Sequence, residues 1–101
     1  MVQNSVFNDK KSNRVIVTVL GTDQMGIIAW VSGRLAEHKC NILDISQTIL
    51  QEFFTMIMVV DLTRADVDLA KLTGMLKDEG LKRGLQVNVQ HEDVFSFMHR
   101  I

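Results

Sequence analysis

The order in which strand-like and helix-like segments follow one another limits the fold of this chain more than any single motif. Short stretches rich in β-branched residues alternate with longer stretches whose apolar residues recur every three or four positions. Strands are predicted over residues 14–20, 41–51, 53–62 and 86–90, and helices over residues 26–39, 63–83 and 92–101. This β-α-β-β-α-β order with an added C-terminal helix predicts an α+β protein with a ferredoxin-like fold, in which one antiparallel sheet carries both main helices on the same face.

Residues 41–62 fit two secondary structures. The apolar residues that also follow the spacing of a helix are Ile42, Ile45, Ile49, Phe53 and Ile57. Because β-branched residues are stiff at χ1 and are common in this segment, its composition favours two strands joined by a hairpin. The second strand is apolar on both faces, and an apolar sheet face is rarely left exposed. We therefore expect the C-terminal helix or another subunit to cover the second face of the sheet.

Each main helix has an apolar stripe that indicates the side facing the sheet. The stripe of the first helix consists of Ile27, Ile28, Val31, Leu35 and His38, and that of the second of Ala65, Leu69, Leu72 and Leu76. Trp30 lies outside its stripe, where it would contact a dimer interface, a ligand or another part of its own domain. The predicted N-cap of the second helix is Thr63 or Asp66. Gly80 or Gly84 is expected to end this helix.

Composition narrows the class of protein. The 101 residues allow one domain, which we expect over residues 13–101 with a flexible polar tail at residues 1–12. Lys and Arg number 11 and Asp and Glu number 12, so no basic surface favours nucleic-acid binding. The single Cys cannot form an internal disulfide, and no apolar run is long enough to cross a membrane. A cytoplasmic location without membrane contact is therefore expected.

Several functions of this fold lack the residues they require. The turn at residues 21–26 has no Arg to hold a phosphate and no Cys pair to hold a soft metal ion. The strands at residues 14–20 and 86–90 have no aromatic side chain on which RNA bases could stack. The strong metal ligands, which show no recognised ligand spacing, are His38, His91, His99 and Cys40. We therefore expect no metal, no cofactor and no catalytic residue.

The same turn reads Gly-Thr-Asp-Gln-Met-Gly and precedes a helix, which suits a different ligand. Gly21 and Gly26 allow the backbone to come close to a ligand. The N-terminus of the helix suits a carboxylate, and Asp23 beside it suits an ammonium group. An α-amino acid carries both groups a few ångströms apart. The alternative is that Asp23 only caps the helix.

The amino-acid sequence of this turn and of the segments that follow it resembles that of a known family. Residues 21–27 and 37–42 are similar to the ACT domain, a regulatory module that senses small molecules, and the similarity extends over residues 14–90. Residues 41–54 and 91–101 resemble a group of short stand-alone bacterial and archaeal ACT proteins, which are also similar to the halves of the glycine-cleavage repressor.

The resemblance implies a homodimer that binds an amino acid at its subunit interface. The residues so implied are Gly21, Asp23, Met25, Gly26 and Ile27 from one chain and Asn41, Ile42 and Leu43 from the other. The best-known serine-binding form has His, Asn and Pro in place of Gly21, Asp23 and Met25, so the identity of the amino acid stays open. Asn41 has an alternative role as a left-handed residue in the turn before its strand.

These observations lead to the hypothesis of a regulatory protein rather than an enzyme. Its expected partners are a second copy of itself, a small molecule of the amino-acid class and a regulated protein. The alternative is a module that binds no ligand and only oligomerises or docks on another protein.

Overall fold

A computed structural model describes residues 13–98, and both the predicted tail at residues 1–12 and the predicted helix end at residues 99–101 lie outside them. The elements are β1 (Arg14–Thr22), α1 (Ile27–Glu37), β2 (Asn41–Leu50), β3 (Phe53–Asp61), α2 (Leu69–Lys82), β4 (Leu85–His91) and α3 (Glu92–Met98). The strands form one antiparallel sheet in the order β2-β3-β1-β4, which confirms the predicted ferredoxin-like fold. Within residues 13–98, no helix is both long and apolar enough to cross a membrane.

β2 and β3 form the hairpin that the composition favours over a helix. The hairpin turn needs neither Gly nor Asn, because Gln51 itself takes a left-handed conformation with a φ of 59°. A bulge between Ile42 and Asp44 shifts the register of the pairing. This bulge determines which side chains of β2 share a sheet face with the helices.

The hydrophobic core lies between one face of the sheet and helices α1 and α2. Alternate residues of the central strands β1 and β3 point into it, as the two-residue period of a strand requires. The buried strand residues are Val15, Val17 and Val19 in β1 and Phe54, Met56, Met58 and Val60 in β3. The most buried helix residues are Val31 and Leu35 in α1 and Leu72 and Leu76 in α2.

Helix α1 is rotated relative to its predicted stripe. Trp30 is 9% exposed and belongs to the core, whereas Ile28 is 39% exposed, so the expectation that Ile28 is buried is wrong. Of the roles open to Trp30, the structure shows packing within its own domain. The indole N–H of Trp30 donates to Glu79 of α2 over 2.7 Å, and Arg83 lies 4.4 Å from the centre of its ring. These contacts attach α1 to α2.

Glu79 receives a second contact from α1. Arg34 forms an ion pair with the Glu79 carboxylate at 3.0 Å. The hydrogen bond from Trp30 and the charge of Arg34 hold the pKa of Glu79 below its ordinary value. The ionised carboxylate therefore joins the two helices.

Helix α2 begins at Leu69, later than predicted. Its N-cap is Asp68, whose carboxylate accepts from the backbone N–H of Lys71 over 2.8 Å. Neither predicted cap is correct, because Thr63 bonds to the end of β3 and Asp66 bonds to the histidine that follows α1. Residues 63–68 are therefore held in a turn by contacts with other parts of the chain.

The end of α2 involves Gly84 and not Gly80. Gly84, with a φ of 74°, follows the C-cap residue, whereas Gly80 lies inside the helix. A Cβ at Gly80 would lie 2.5 Å from Cγ2 of Val87 in β4. The absence of a side chain at Gly80 therefore allows α2 to pack closely on β4.

The face of the sheet that points away from α1 and α2 is partly covered. Helix α3 packs against β1 and β4, and Glu92 of α3 forms an ion pair with Arg14 of β1 at 2.8 Å. On this face Ile16 of β1 is 6% exposed, whereas Ile57 of β3 is 39% exposed. The expected cover by a C-terminal helix is thus present over one part of the face only.

Candidate ligand-binding site

The turn between β1 and α1 leaves the beginning of α1 without a side-chain cap. Gly26 is at the N-cap position with a φ of 86°, and no side chain of the described residues bonds to the first N–H groups of the helix. The alternative in which Asp23 caps the helix is therefore wrong. The backbone N–H of Asp23 instead donates to the carbonyl oxygen of Glu52 over 2.8 Å, which attaches the turn to the β2–β3 hairpin.

The uncapped helix start is electropositive. The first helical bond runs from the N–H of Trp30 to the carbonyl oxygen of Gly26 over 2.9 Å, so the N–H groups of residues 27–29 have no partner within the helix. The first turn of α1 also has no acidic residue. Because the helix dipole adds positive potential there, an anion is favoured at this point. The exposed Asp23 supplies a negative charge nearby.

A cleft of about 290 Å³ lies between this turn and the end of β2. Its lining residues are Asp23, Gln24, Gly26, Ile27, Ile28, Ala29, Gln47, Ile49 and Phe54. Three predicted site residues, Asp23, Gly26 and Ile27, are therefore brought together. Asp23 carries the one charged side chain of the lining, and the remaining side chains are amide, aliphatic or aromatic. The lining thus combines one negatively charged side chain with a helix N-terminus that favours an anion.

Gln47 and Ile49 of β2 line the cleft although no sequence motif marks them. Ile49 pairs with the core residue Phe54, so it shares the sheet face that carries the helices, and Gln47 lies two residues away on the same face. Both residues are exposed. The alternation of these residues with Ser46 and Thr48 is the signal that could have identified them, once β2 is known to be a strand.

Gly21 and Met25 lie next to the cleft and not in its lining. The position that a Cβ of Gly21 would occupy lies 2.7 Å from Cδ2 of Leu85. The close packing of β1 against β4 therefore explains why this position requires a glycine, independently of any ligand. Met25 is 98% exposed in the turn. Ligand roles for Gly21 and Met25 stay predictions.

The other predicted site residues, Asn41, Ile42 and Leu43, lie at the opposite end of the sheet. Asn41 pairs with Asp61, which also pairs with Arg14, the first residue of β1. The turn with Asp23 follows the last residue of β1. At about 3.3 Å per residue, the two ends of the sheet are roughly 25 Å apart. One chain therefore does not bring the two halves of the predicted site together.

Asn41 lines a separate cleft of about 330 Å³. The other lining residues of this cleft are Lys39, Asp61, Thr63 and Arg64. The left-handed residue in the turn before β2 is Lys39, with a φ of 62°. The alternative role of Asn41 as the left-handed residue is therefore wrong.

His38 and Cys40, which follow α1, lie close to Asp66, which precedes α2. Burial raises the pKa of the Cys40 thiol, which lowers the fraction of reactive thiolate. The thiol donates weakly to the carbonyl oxygen of His38, while the His38 ring lies 2.9 Å from the Asp66 carboxylate. Among residues 13–98 no group of three or more His, Cys, Asp or Glu side chains could hold a metal ion.

The family model of the ACT domain matches residues 13–90, so sequence and fold together define the class of protein as an ACT domain. A UPF0237 protein of Methanocaldococcus jannaschii is 54% identical over 89 residues, which are 88% of this chain and 99% of that protein. An ACT domain protein from Streptococcus pneumoniae has the same fold, with a TM-score of 0.71, 40% identity and coverage of 81% of this chain and 92% of that chain. The chain therefore belongs to the UPF0237 family of small archaeal and bacterial ACT-domain proteins.

A more distant similarity concerns the fold alone. A protein assigned as a glycine cleavage system transcriptional repressor has a TM-score of 0.67 and 22% identity to this chain. The match covers 76% of this chain and 44% of that protein. The resemblance to one half of the repressor is thus confirmed for the architecture.

Proposed function

We propose that this protein binds a free amino acid between two copies of its chain and acts by regulation and not by catalysis. The observation that carries the proposal is the cleft at the start of α1, where Asp23 lies beside an uncapped helix N-terminus. Membership of the ACT domain family supports the regulatory role.

The two charged groups of an amino acid suit the two charged features of the cleft. The ligand carboxylate would accept hydrogen bonds from the N–H groups of residues 27–29, and its ammonium group would donate to Asp23. Asp23 is the one charged side chain of the lining, so we expect a ligand whose own side chain is uncharged. Gln47 offers that side chain an amide donor and acceptor, and Ile28 and Ile49 offer apolar contact.

The edge strand β2 provides a way to complete the site from a second copy. β2 has ten residues and lies at the edge of the sheet, where its outer backbone groups can pair with another strand. Antiparallel pairing of β2 with β2 of a second copy would place the second copy's residues 41–43 beside residues 47–50 of the first. That end of β2 borders the cleft. The partner's Asn41, with one donor and one acceptor on a single amide, would then lie at the edge of the cleft.

A ligand held by both chains would favour the dimer arrangement that forms the complete cleft, because it binds that arrangement more tightly than any other. The regulated protein would respond to the change in population. The single, buried Cys suits the reducing cytoplasm, which we propose as the location.

The proposal is tested by thermal unfolding of the full chain with each of the standard amino acids. A true ligand at a hundred times its Kd should add about 2.7 kcal/mol to the free energy of unfolding. Asp23→Asn keeps the shape of the side chain but removes its charge, and it should abolish this gain. Asp78→Asn, on the exposed side of α2, is the matched control and should keep it. No stabilisation by any amino acid would contradict the proposal and favour the ligand-free alternative.

A further inference from the structure

The cleft that Asn41 lines at the start of β2 also contains two cationic side chains, Lys39 and Arg64. We call it the Lys39–Arg64 cleft. Both side chains are exposed, and among residues 13–98 neither of them forms an ion pair or a side-chain hydrogen bond. Arg14 and Arg34, by contrast, each form an ion pair with a glutamate. The cleft therefore brings together two positive charges that no ion pair within the described chain neutralises.

The backbone of Lys39 has a conformation that suits glycine better than lysine. Its φ is 62°, in the left-handed region, where the Cβ of an L-residue lies too close to a carbonyl oxygen. Lys39 directly follows His38, the C-cap residue of α1, and this position in a helix end is most often glycine. A side chain that is present despite such a conformation points to a function for that side chain.

The two cations are held near each other by contacts between their neighbours in the chain. The backbone N–H of Asp66 donates to the carbonyl oxygen of His38 over 3.0 Å. Nδ1 of His38 also lies 2.9 Å from the Asp66 carboxylate. Lys39 follows His38, and Arg64 lies in the same turn as Asp66. The backbone at both cations is therefore positioned before a ligand binds, which lowers the entropy cost of binding.

Asp61 is the one acidic residue of the lining. The hydroxyl and the backbone N–H of Thr63 donate to Oδ1 of Asp61 over 2.7 and 2.9 Å. These bonds hold the pKa of Asp61 below its ordinary value, so its carboxylate is ionised at neutral pH. Its second oxygen, Oδ2, can accept a hydrogen bond from a ligand hydroxyl group. The lining therefore has a net positive charge and one acceptor at its side.

We propose that the Lys39–Arg64 cleft binds a small phosphate monoester that carries a hydroxyl group. The guanidinium group of Arg64 matches two phosphate oxygens at once, and Lys39 adds a compact second charge. A phosphate monoester has roughly two negative charges at neutral pH, which these two cations balance, whereas a carboxylate has only one. The hydroxyl group would donate to Asp61.

The cleft also has a suitable size and an independent location. Its volume of about 330 Å³ lies at the lower end of the range for small-molecule sites, as a short phosphate monoester requires. It lies at the opposite end of the sheet from Asp23. The site therefore goes beyond the proposed function, because it takes a different class of ligand in a different cleft.

Titration of the full chain with glycerol 3-phosphate, followed by nuclear magnetic resonance, tests this proposal. The backbone N–H signals of residues 39–41 and 63–64 should shift until they reach saturation, whereas those of residues 23–29 should not shift. Glycerol should cause no shift. Inorganic phosphate should bind more weakly than glycerol 3-phosphate, because it lacks the carbon chain that carries the hydroxyl group. Acetate should bind at least about tenfold more weakly, since it offers a single charge.

Lys39→Gly separates binding from folding. It removes the charge together with the unfavourable backbone conformation, so it should weaken binding at least about tenfold without lowering the melting temperature. Gln51→Gly is the matched control, because Gln51 is also left-handed, with a φ of 59°, and lies in the hairpin turn. This variant should bind glycerol 3-phosphate like the wild type.

Arg64→Gln should likewise weaken binding at least about tenfold, because it removes the bidentate contact. Lys82→Gln, at the end of α2, changes the net charge by the same amount and should leave binding unchanged. The absence of a saturable shift, or folded Lys39→Gly and Arg64→Gln variants that bind like the wild type, would overturn the proposal. Acetate or inorganic phosphate that binds as tightly as glycerol 3-phosphate would also overturn it.

Asp23→Asn keeps this test separate from the proposed function. This variant should bind glycerol 3-phosphate like the wild type, although it should lose the response to amino acids. Arg64→Gln should show the opposite pattern. Failure of one site would therefore leave the result for the other site unchanged, whereas loss of glycerol 3-phosphate binding in a folded Asp23→Asn variant would contradict a separate site.

Discussion

The two main helices of this domain begin in different ways. Helix α2 begins at Asp68, whose carboxylate bonds to the N–H of Lys71, as most stable helix starts do. Helix α1 begins at Gly26 without a side-chain cap, although Asp23 lies three residues away. The difference shows that one helix end is completed within the chain while the other is left open towards a cleft. A helix end that is not completed locally must be stabilised by packing elsewhere.

The largest expected effect concerns that packing, since α1 depends on Trp30 in place of a cap. Trp30→Ala should lower the free energy of unfolding by about 3–5 kcal/mol, because it removes a core side chain and its hydrogen bond to Glu79. Urea unfolding followed by circular dichroism measures the change. Ile28→Ala is the control. Ile28 lies on a more exposed side of the same helix, so its truncation should lower the free energy of unfolding clearly less. Equal losses for the two variants would show that α1 is not anchored by Trp30.

A smaller effect is expected at the N-cap glycine of α1. Gly26→Ala should cost about 1–2 kcal/mol, because an alanine at a φ of 86° is strained. Gly33 lies inside the same helix and has open space around it. Gly33→Ala should therefore raise the free energy of unfolding by about 0.5–1 kcal/mol. Thermal unfolding of both variants shows whether each substitution raises or lowers the stability of the protein. A neutral Gly26→Ala variant would mean that the turn can take another conformation.

The third prediction compares the two helix starts directly. Asp68→Ala should destabilise by about 1 kcal/mol, since it removes the cap of α2. In the absence of ligand, Asp23→Ala should change the free energy of unfolding by less than about 0.5 kcal/mol, because its carboxylate caps nothing. Chemical unfolding of the ligand-free variants distinguishes the two sites. A loss at Asp23 as large as that at Asp68 would contradict the description of an open helix start.

The smallest expected effect is the pH dependence that arises from Glu79, which joins the two helices. Its pKa is lowered from 4.5 by the Trp30 hydrogen bond and by Arg34. The ionised form therefore stabilises the folded state above that ordinary value, and the contribution is lost as the pH falls through the lower folded pKa. Glu79→Gln should show a shallower loss of stability on acidification than the wild type. A Glu79→Gln variant that loses stability on acidification as steeply as the wild type would refute this role of Glu79.

The fold could be predicted from the sequence because the order of the segments leaves few topologies. The details that were predicted wrongly depend on contacts between residues that are far apart in the sequence. Ile28 and Trp30 are both apolar, so the pattern alone does not fix the rotation of α1, which depends on Glu79 of α2 and on Arg83 at the C-cap of that helix. The late start of α2 depends likewise on the contact between Asp66 and His38, which lie 28 positions apart.

The candidate site was predictable in part for a similar reason. Asp23, Gly26 and Ile27 are neighbours in the chain, so one local motif identified them together. Gln47 and Ile49 join them only through the pairing of β2 with β3, and their orientation follows from a bulge that no residue type indicates. The part of the predicted site around Asn41 lies at the other end of the sheet. Within a single chain it is therefore far from Asp23.

The measurement that tests the central claim most directly is amino-acid binding by mixed dimers. Asp23→Asn and Asn41→Ala should each abolish binding of the amino acid that gives the largest thermal shift with the wild type. After the two variants are mixed and allowed to exchange subunits, titration calorimetry should recover binding, at up to one site per mixed dimer. In that dimer, the intact Asp23 of one chain faces the partner's intact Asn41. Two inactive variants that stay inactive after proven subunit exchange would show that the site does not combine these residues from two chains.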